Sequence, residues 1–263
     1  ICLGDDAIVT VSATGLVNGT YDFTYSLSGA NSATGQTVTG VAISGGSGNF
    51  TILASALTAS GTQTVTLTGV ENVDGCSTTG LSVATDFEIN SSPDASSLVA
   101  KASPICVGED GSIDIVAPGL ANDTYTFTYD LGLNGGTSLT TMVSITGGTG
   151  TMTIPAAELT TTGMETATIT AITSSNSCGS TGLSIGAMFM INAGPDVSTT
   201  TIDAMNVCLG SDAMVNVTAG GLADGTYTFD YELSGVNNLL SQNTTVTISG
   251  GTGRFTVPAA YLT

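Results

Sequence analysis

Three phrases, CLGDDA, CVGEDG and CLGSDA, begin at Cys2, Cys106 and Cys208, at intervals of 104 and 102 residues, so a single module is written three times in this chain of 263 residues. The register is kept elsewhere in the copies. Cys76 and Cys178 stand 102 residues apart, and the glycine-rich stretches ISGGSGNFTI (43–52), ITGGTGTMTI (145–154) and ISGGTGRFTV (248–257) coincide when the copies are aligned. A chain built from siblings of this length is constrained to form separate small cores, one per copy, rather than one large interior.

Within each copy the hydrophobic period is two, not 3.6. Tyr21, Phe23 and Tyr25 share one face of a strand, as do Tyr125, Phe127 and Tyr129, and Tyr227, Phe229 and Tyr231, while small polar or acidic residues fill the other face. The turn phrases VNGT, ANDT and ADGT supply residues that tolerate positive φ between consecutive strands. The GG-x-G stretches lack a following Lys and helix, so they read as hairpin turns rather than phosphate cradles. Pro-Asp pairs in INSSPDASS and INAGPDVST mark the seams between copies. The expected architecture is all-β: tandem immunoglobulin-like β-sandwich modules of about seven strands each, at residues 1–92, 93–194 and 195–263. On this count the first module lacks its opening strand and the third its last strands.

Composition narrows the function. Twenty-one acidic residues face only Lys101 and Arg254, a net charge of -19, so phosphate backbones and anionic membrane surfaces are poor partners. No apolar run is long enough to insert into a membrane as a helix. The sequence contains no His, which removes the commonest general base and the commonest zinc ligand. The chain is therefore expected not to be an enzyme and to hold no catalytic residues.

Two residue classes remain as candidate sites. Each copy has a cysteine near its beginning and, where the sequence extends far enough, one near its end. The positions in the repeat suggest Cys2–Cys76 and Cys106–Cys178 bonds inside the modules, with the partner of Cys208 beyond Thr263; a Cys76–Cys106 bridge across the seam is the alternative. Such bonds imply an oxidising, extracellular location. Acidic residues cluster beside the opening cysteines, at Asp5, Asp6, Glu109, Asp110 and Asp212, with others near the seams at Asp86, Glu88, Asp94, Asp196 and Asp203. Their oxygens suit calcium, the one cofactor considered, although no EF-hand spacing is present and solvated acidic loops are the plainer reading.

The phrases CLGxDAxVxVxxxGLxxGTYxFxYxLSG and ISGGTGxFTVPAAxLT, with STTGLS after a terminal cysteine and the NAGPDVS seam, resemble the tandem Ig-like repeats of very large surface proteins of gliding Bacteroidota-type bacteria. The resemblance covers the whole chain. It is to the repeats of SprB-type gliding adhesins and related type IX secretion substrates, and it implies an elongated cell-surface fibre that contacts extracellular polysaccharide. The expected role is a structural segment of such an adhesin, spacing a binding tip from the cell, with adjacent repeats as partners. A self-assembling filament or surface-layer subunit joined to neighbouring copies by strand addition is the second reading.

Overall fold

Residues that alternate apolar and polar at period two can bury only one face of a strand, so each copy must set two sheets face to face. The computed structural model describes residues 1–262. The first copy runs through β1 (Ala7–Ser12), β2 (Gly19–Gly29), β3 (Ala33–Ile43), β4 (Ser47–Ile52), β5 (Gly61–Asn72) and β6 (Ser77–Ile89). The second adds β7 (Val99–Ala102), β8 (Ile105–Cys106), β9 (Gly111–Val116), β10 (Asp123–Leu131), β11 (Leu139–Ile145), β12 (Thr149–Ile154), β13 (Gly163–Thr173) and β14 (Gly179–Asn192). The third contains β15 (Thr201–Ala204), β16 (Ala213–Thr218), β17 (Gly225–Leu233), β18 (Leu239–Ile248) and β19 (Thr252–Val257).

The second copy shows the full pattern. One sheet has the order β11-β10-β13-β14-β8 and the other the order β12-β9-β7. All pairs are antiparallel except β8, which runs parallel to the end of β14, with Ile105 opposite Ile191 and Cys106 opposite Asn192. This is an immunoglobulin-like sandwich, and the chain is all-β as the sequence predicts. The first copy repeats the larger sheet as β3-β2-β5-β6, with β1 paired to β4. In the third, β15-β16-β19 form one sheet and β17-β18 the other.

Three apolar cores form, from Ala7 to Ile89, from Leu98 to Ile191 and from Val215 to Val257. The aromatic stripes point inward: Tyr125, Phe127 and Tyr129 are buried, as are Tyr21, Phe23 and Tyr25. Each such side chain contributes about 1.5–3 kcal/mol of burial. Tyr227, Phe229 and Tyr231 are only half-buried, because β17 has no strand on the side where β2 and β10 meet β5 and β13. The chain divides into two compact units, Ile1–Asn192, which holds the first two copies, and Ala193–Thr263.

The turns are fixed by side chains as well as by glycine. Gly147 and Gly148 adopt φ of 59° and 76°, and the Gly147 N–H donates to Asn122 Oδ1 at 2.8 Å. Asn18 and Asp224 accept from Gly45 and Gly250 in the same way, at 2.8 and 2.7 Å. The residues that begin one hairpin thus close the next.

A buried polar position separates the first two copies chemically. Gln63 and Glu165 occupy equivalent places at the start of β5 and β13, and both are fully buried. Glu165 accepts from the N–H groups of Gly132, Leu133, Asn134 and Thr166 and from the Asn134 amide, at 2.6–3.0 Å. Gln63 instead accepts at Oε1 from the backbone N–H and the amide of Asn31 and donates through Nε2 to the carbonyls of Ser28, Asn31 and Thr64. Burial pushes the Glu165 carboxyl upward, but the Asn134 amide and the backbone donors outweigh it and hold the group below its ordinary value.

Replacing Glu165 by Gln turns one acceptor into a donor among donors. We expect Glu165→Gln to destabilise the first unit by about 1–3 kcal/mol at neutral pH in chemical denaturation. Because the folded carboxyl titrates below its unfolded value, the Glu165 contribution is complete above the ordinary carboxyl range and disappears as pH falls through the folded value. The stability gap between wild type and variant should therefore close in acid.

Candidate functional site at the junction of the first two copies

The direction of the last strand decides where each cysteine lies. Cys76 immediately precedes β6, whereas Cys2 forms a parallel bridge with Asn90, just past the end of β6. Thirteen residues of extended strand, about 40 Å, lie between those two poles. The second copy is arranged alike, with Cys178 just before β14 and Cys106 opposite Asn192 at its end.

The opening cysteine of the first copy therefore sits at the junction with the second. So does the closing hairpin of the second copy, the turn from β13 to β14. Asn176 Nδ2 donates to Asn90 Oδ1 at 2.6 Å, and the Ser180 hydroxyl donates to the Pro93 carbonyl at 2.5 Å. At this point Cys2 and Cys178 form a disulfide, with Cα atoms 5.5 Å apart and a separation of 176 in sequence.

The Asn90–Asn176 contact borders a polar cavity of about 460 Å³, lined by Asn90, Pro93, Asp94, Asp123, Tyr125 and Asn176 among others. Asp123 Oδ2 accepts from the N–H and hydroxyl of Ser175 at 3.1 and 2.8 Å, tying β10 to the closing hairpin. Those bonds, the backbone N–H of Ser175 foremost and that of Thr124 besides, hold the Asp123 carboxyl below its ordinary range. Burial and the Asp123 charge push the neighbouring Tyr125 phenol upward. The seam residue Asp94 lies so close to Gly119 that a Cβ there would meet the Asp94 carbonyl oxygen at 2.9 Å, and Gly221 and Asp196 repeat the contact at 2.6 Å.

These positions correct the expected cysteine pairing. Neither Cys2–Cys76 nor Cys106–Cys178 forms, because each would have to span the length of a sandwich; Cys76, Cys106 and Cys208 are free and exposed. The Cys76–Cys106 alternative is not formed either. The observed bond joins successive copies, a connection that spacing within one copy could not indicate.

The acidic residues proposed for calcium each accept from backbone N–H groups. Asp6, Asp110 and Asp212 accept from the N–H of Ala54, Ala156 and Ala259 at 2.7–2.8 Å, where each chain enters a short 3-10 turn. Asp5 and Glu109 accept from the N–H of Cys2 and Cys106 at 3.2 and 2.9 Å, closing the loop that follows each cysteine. Among the described residues no three His, Cys, Asp or Glu side chains gather into a group able to hold a metal ion. The five are spread along the opening loops of three copies. The signal available in the sequence is the similar separation, 48, 46 and 47 residues, from Asp6, Asp110 and Asp212 to the LAS or PAA turn.

No protein-family model and no curated protein matches the chain. Among solved structures it is similar to trypsin-activated α2-macroglobulin from Escherichia coli, at 13% identity and a TM-score of 0.28, over 98% of this chain and 21% of that one. A marsupial T cell receptor gives 10% identity and a TM-score of 0.38, over 97% and 96%. A putative membrane-anchored protein from Corynebacterium diphtheriae gives 11% and 0.26, over 98% and 81%. Likenesses at these scores carry no argument; the immunoglobulin-like assignment stands on strand order and pairing.

Removing one capping carboxylate should cost stability without any calcium dependence. We expect Asp110→Ala to lower the stability of the second copy by about 0.5–1.5 kcal/mol, through the lost bond to Ala156 N–H. Millimolar calcium should leave the melting temperature of both proteins unchanged; a calcium-dependent rise lost in the variant would support the metal reading.

Proposed function

We propose that this chain is a structural segment of an extracellular cell-surface adhesin, whose modules space a binding tip from the cell and preserve that spacing under tension. The observation that carries this reading is the Cys2–Cys178 bond between successive copies. A bond inside one module would resist unfolding of that module alone. A bond from the beginning of one copy to the end of the next encloses both, together with the seam between them.

The surrounding chemistry supports the same reading. Disulfides persist in oxidising compartments, which agrees with a location outside the cell. The charge of -19 keeps neighbouring chains apart in solution. The sequence has no His, and Asp6, Asp110 and Asp212 are engaged on backbone N–H groups, which supports a structural role. The resemblance of the repeat phrases to gliding-adhesin repeats suggests the same class of protein, with polysaccharide as the surface contacted.

A second reading, a filament joined by strand addition, is favoured by one observation in the first copy. Beside β1, where β7 and β15 flank β9 and β16, an apolar groove of about 290 Å³ is lined by Val9, Val11, Phe23, Leu67, Leu81 and Val83. In the second copy the corresponding place holds Leu98 and Ala100 of the β7 segment, both buried. A strand of this kind from a neighbouring molecule would fit the groove.

Pulling on the two ends of a single molecule distinguishes the mechanical role. Under oxidising conditions the segment enclosed by the disulfide should contribute no unfolding length, and reduction should release roughly 600 Å of additional contour. Equal extension in both states would remove the proposal. A peptide of residues 96–103 that binds and shields the first copy from exchange would instead promote the filament reading.

A further inference from the structure

The three free cysteines are not without a structural pattern. Cys106 reproduces the surroundings of Cys2 bond for bond. The N–H of Leu3 donates to the Asn90 carbonyl at 2.8 Å and that of Val107 to the Asn192 carbonyl at 2.9 Å. The carbonyls of Cys2 and Cys106 accept from Asp5 and Glu109 N–H at 3.0 and 3.1 Å, and the side-chain amides of Asn90 and Asn192 donate to the carbonyls of Ile1 and Ile105 at 3.3 and 3.2 Å. Cys76 likewise reproduces Cys178. Each ends a five-residue turn in which its carbonyl accepts from the first residue of the turn, Asn72 at 3.0 Å and Ser174 at 2.9 Å. Two of the free cysteines thus stand in backbone settings whose counterparts in the neighbouring copy are already bonded.

We propose that the cysteines follow one rule along the repeat: the opening cysteine of each copy is bonded to the closing-hairpin cysteine of the copy after it. Cys2–Cys178 is the one such bond that this sequence contains in full. Where a longer run of copies is present, the rule would pair Cys106 with the closing-hairpin cysteine of the copy after the second, Cys208 with that of the next, and Cys76 with the opening cysteine of a copy placed before the first. The reason is the polarity of the sandwich. Because the opening segment runs parallel to the end of the last strand, the opening cysteine of the first copy lies at the pole facing the second, and the closing hairpin of the second lies at the pole facing the first. A series of modules bonded in this way has no junction held by backbone alone.

Each bond forms by thiol–disulfide exchange. The two cysteine thiols give up two protons and two electrons, and a disulfide-carrying oxidant, such as a protein disulfide oxidoreductase or glutathione disulfide, is reduced to two thiols.

The test extends the 263-residue chain by residues 161–194 of the second copy, continuing the PAAYLT turn as the second copy continues PAAELT, so that the third copy gains a closing hairpin with a cysteine equivalent to Cys178. After refolding with oxidised and reduced glutathione, non-reduced peptides cut at acidic residues are mapped by mass spectrometry, which separates Cys106 from Cys208. The expected result is loss of alkylation at Cys106, a new bond from Cys106 to the added cysteine, and Cys208 still alkylated. With Cys106→Ser the added cysteine should stay alkylated rather than pair with Cys208. A bond between Cys208 and the added cysteine, or an added cysteine that remains free while Cys2–Cys178 forms in the same molecules, overturns the rule. Should the extended third copy fail to fold, a copy of residues 93–194 placed before Ile1 tests the other end. Its opening cysteine should protect Cys76 from alkylation, and an unprotected Cys76 beside an intact Cys2–Cys178 bond overturns the rule equally.

Discussion

The parallel pairing of each opening segment with the end of the last strand is the constraint from which the rest of the first unit follows. In an otherwise antiparallel sandwich, that contact carries the start of a module to the pole where the module ends. Cys2 beside Asn90 and Cys106 beside Asn192 are its direct products. The closing hairpin stands at the opposite pole because β6 and β14 are long, at 13 and 14 residues. Two modules joined in series therefore bring the beginning of one against the hairpin of the next, and a disulfide there encloses both.

That arrangement changes what the bond does. In the chain-entropy view, closing a loop of this length restricts the unfolded chain by about 5 kcal/mol, an upper figure, and the effect is shared by two cores and a seam rather than one core. The hydrogen bonds of Asn176, Ser180 and Ser175 at the junction are each modest, but with the bond in place they join groups already held near one another. The seam acts as part of a unit rather than as a hinge between units, which agrees with the single compact unit formed by Ile1–Asn192.

Much of the fold was legible in the sequence because strand periodicity is local. The stripe Tyr125, Phe127 and Tyr129 declares a buried face within five residues, and the paired glycines at 147 and 148 declare a turn within two. The cysteine pairing was not legible, since it depends on which pole each residue occupies, and only the pairing of β8 with β14 decides that. The backbone partners of the acids were hidden for a related reason. Asp110 looks like a free ligand beside Glu109 until the chain brings Ala156 N–H to it from 46 residues away. Gln63 and Glu165 show the same limit: both polar residues sit in apolar strands, and the donors or carbonyls that justify each come from a distant loop.

The most direct measurement uses the two basic residues of the chain. Trypsin cuts after Lys101, at the second copy's opening strand, and after Arg254. If Cys2 is bonded to Cys178, the fragments 1–101 and 102–254 must remain one covalent species after denaturation with thiols blocked, and separate only on reduction. Fragments that part without reductant would show that no disulfide joins the two copies, contradicting the account.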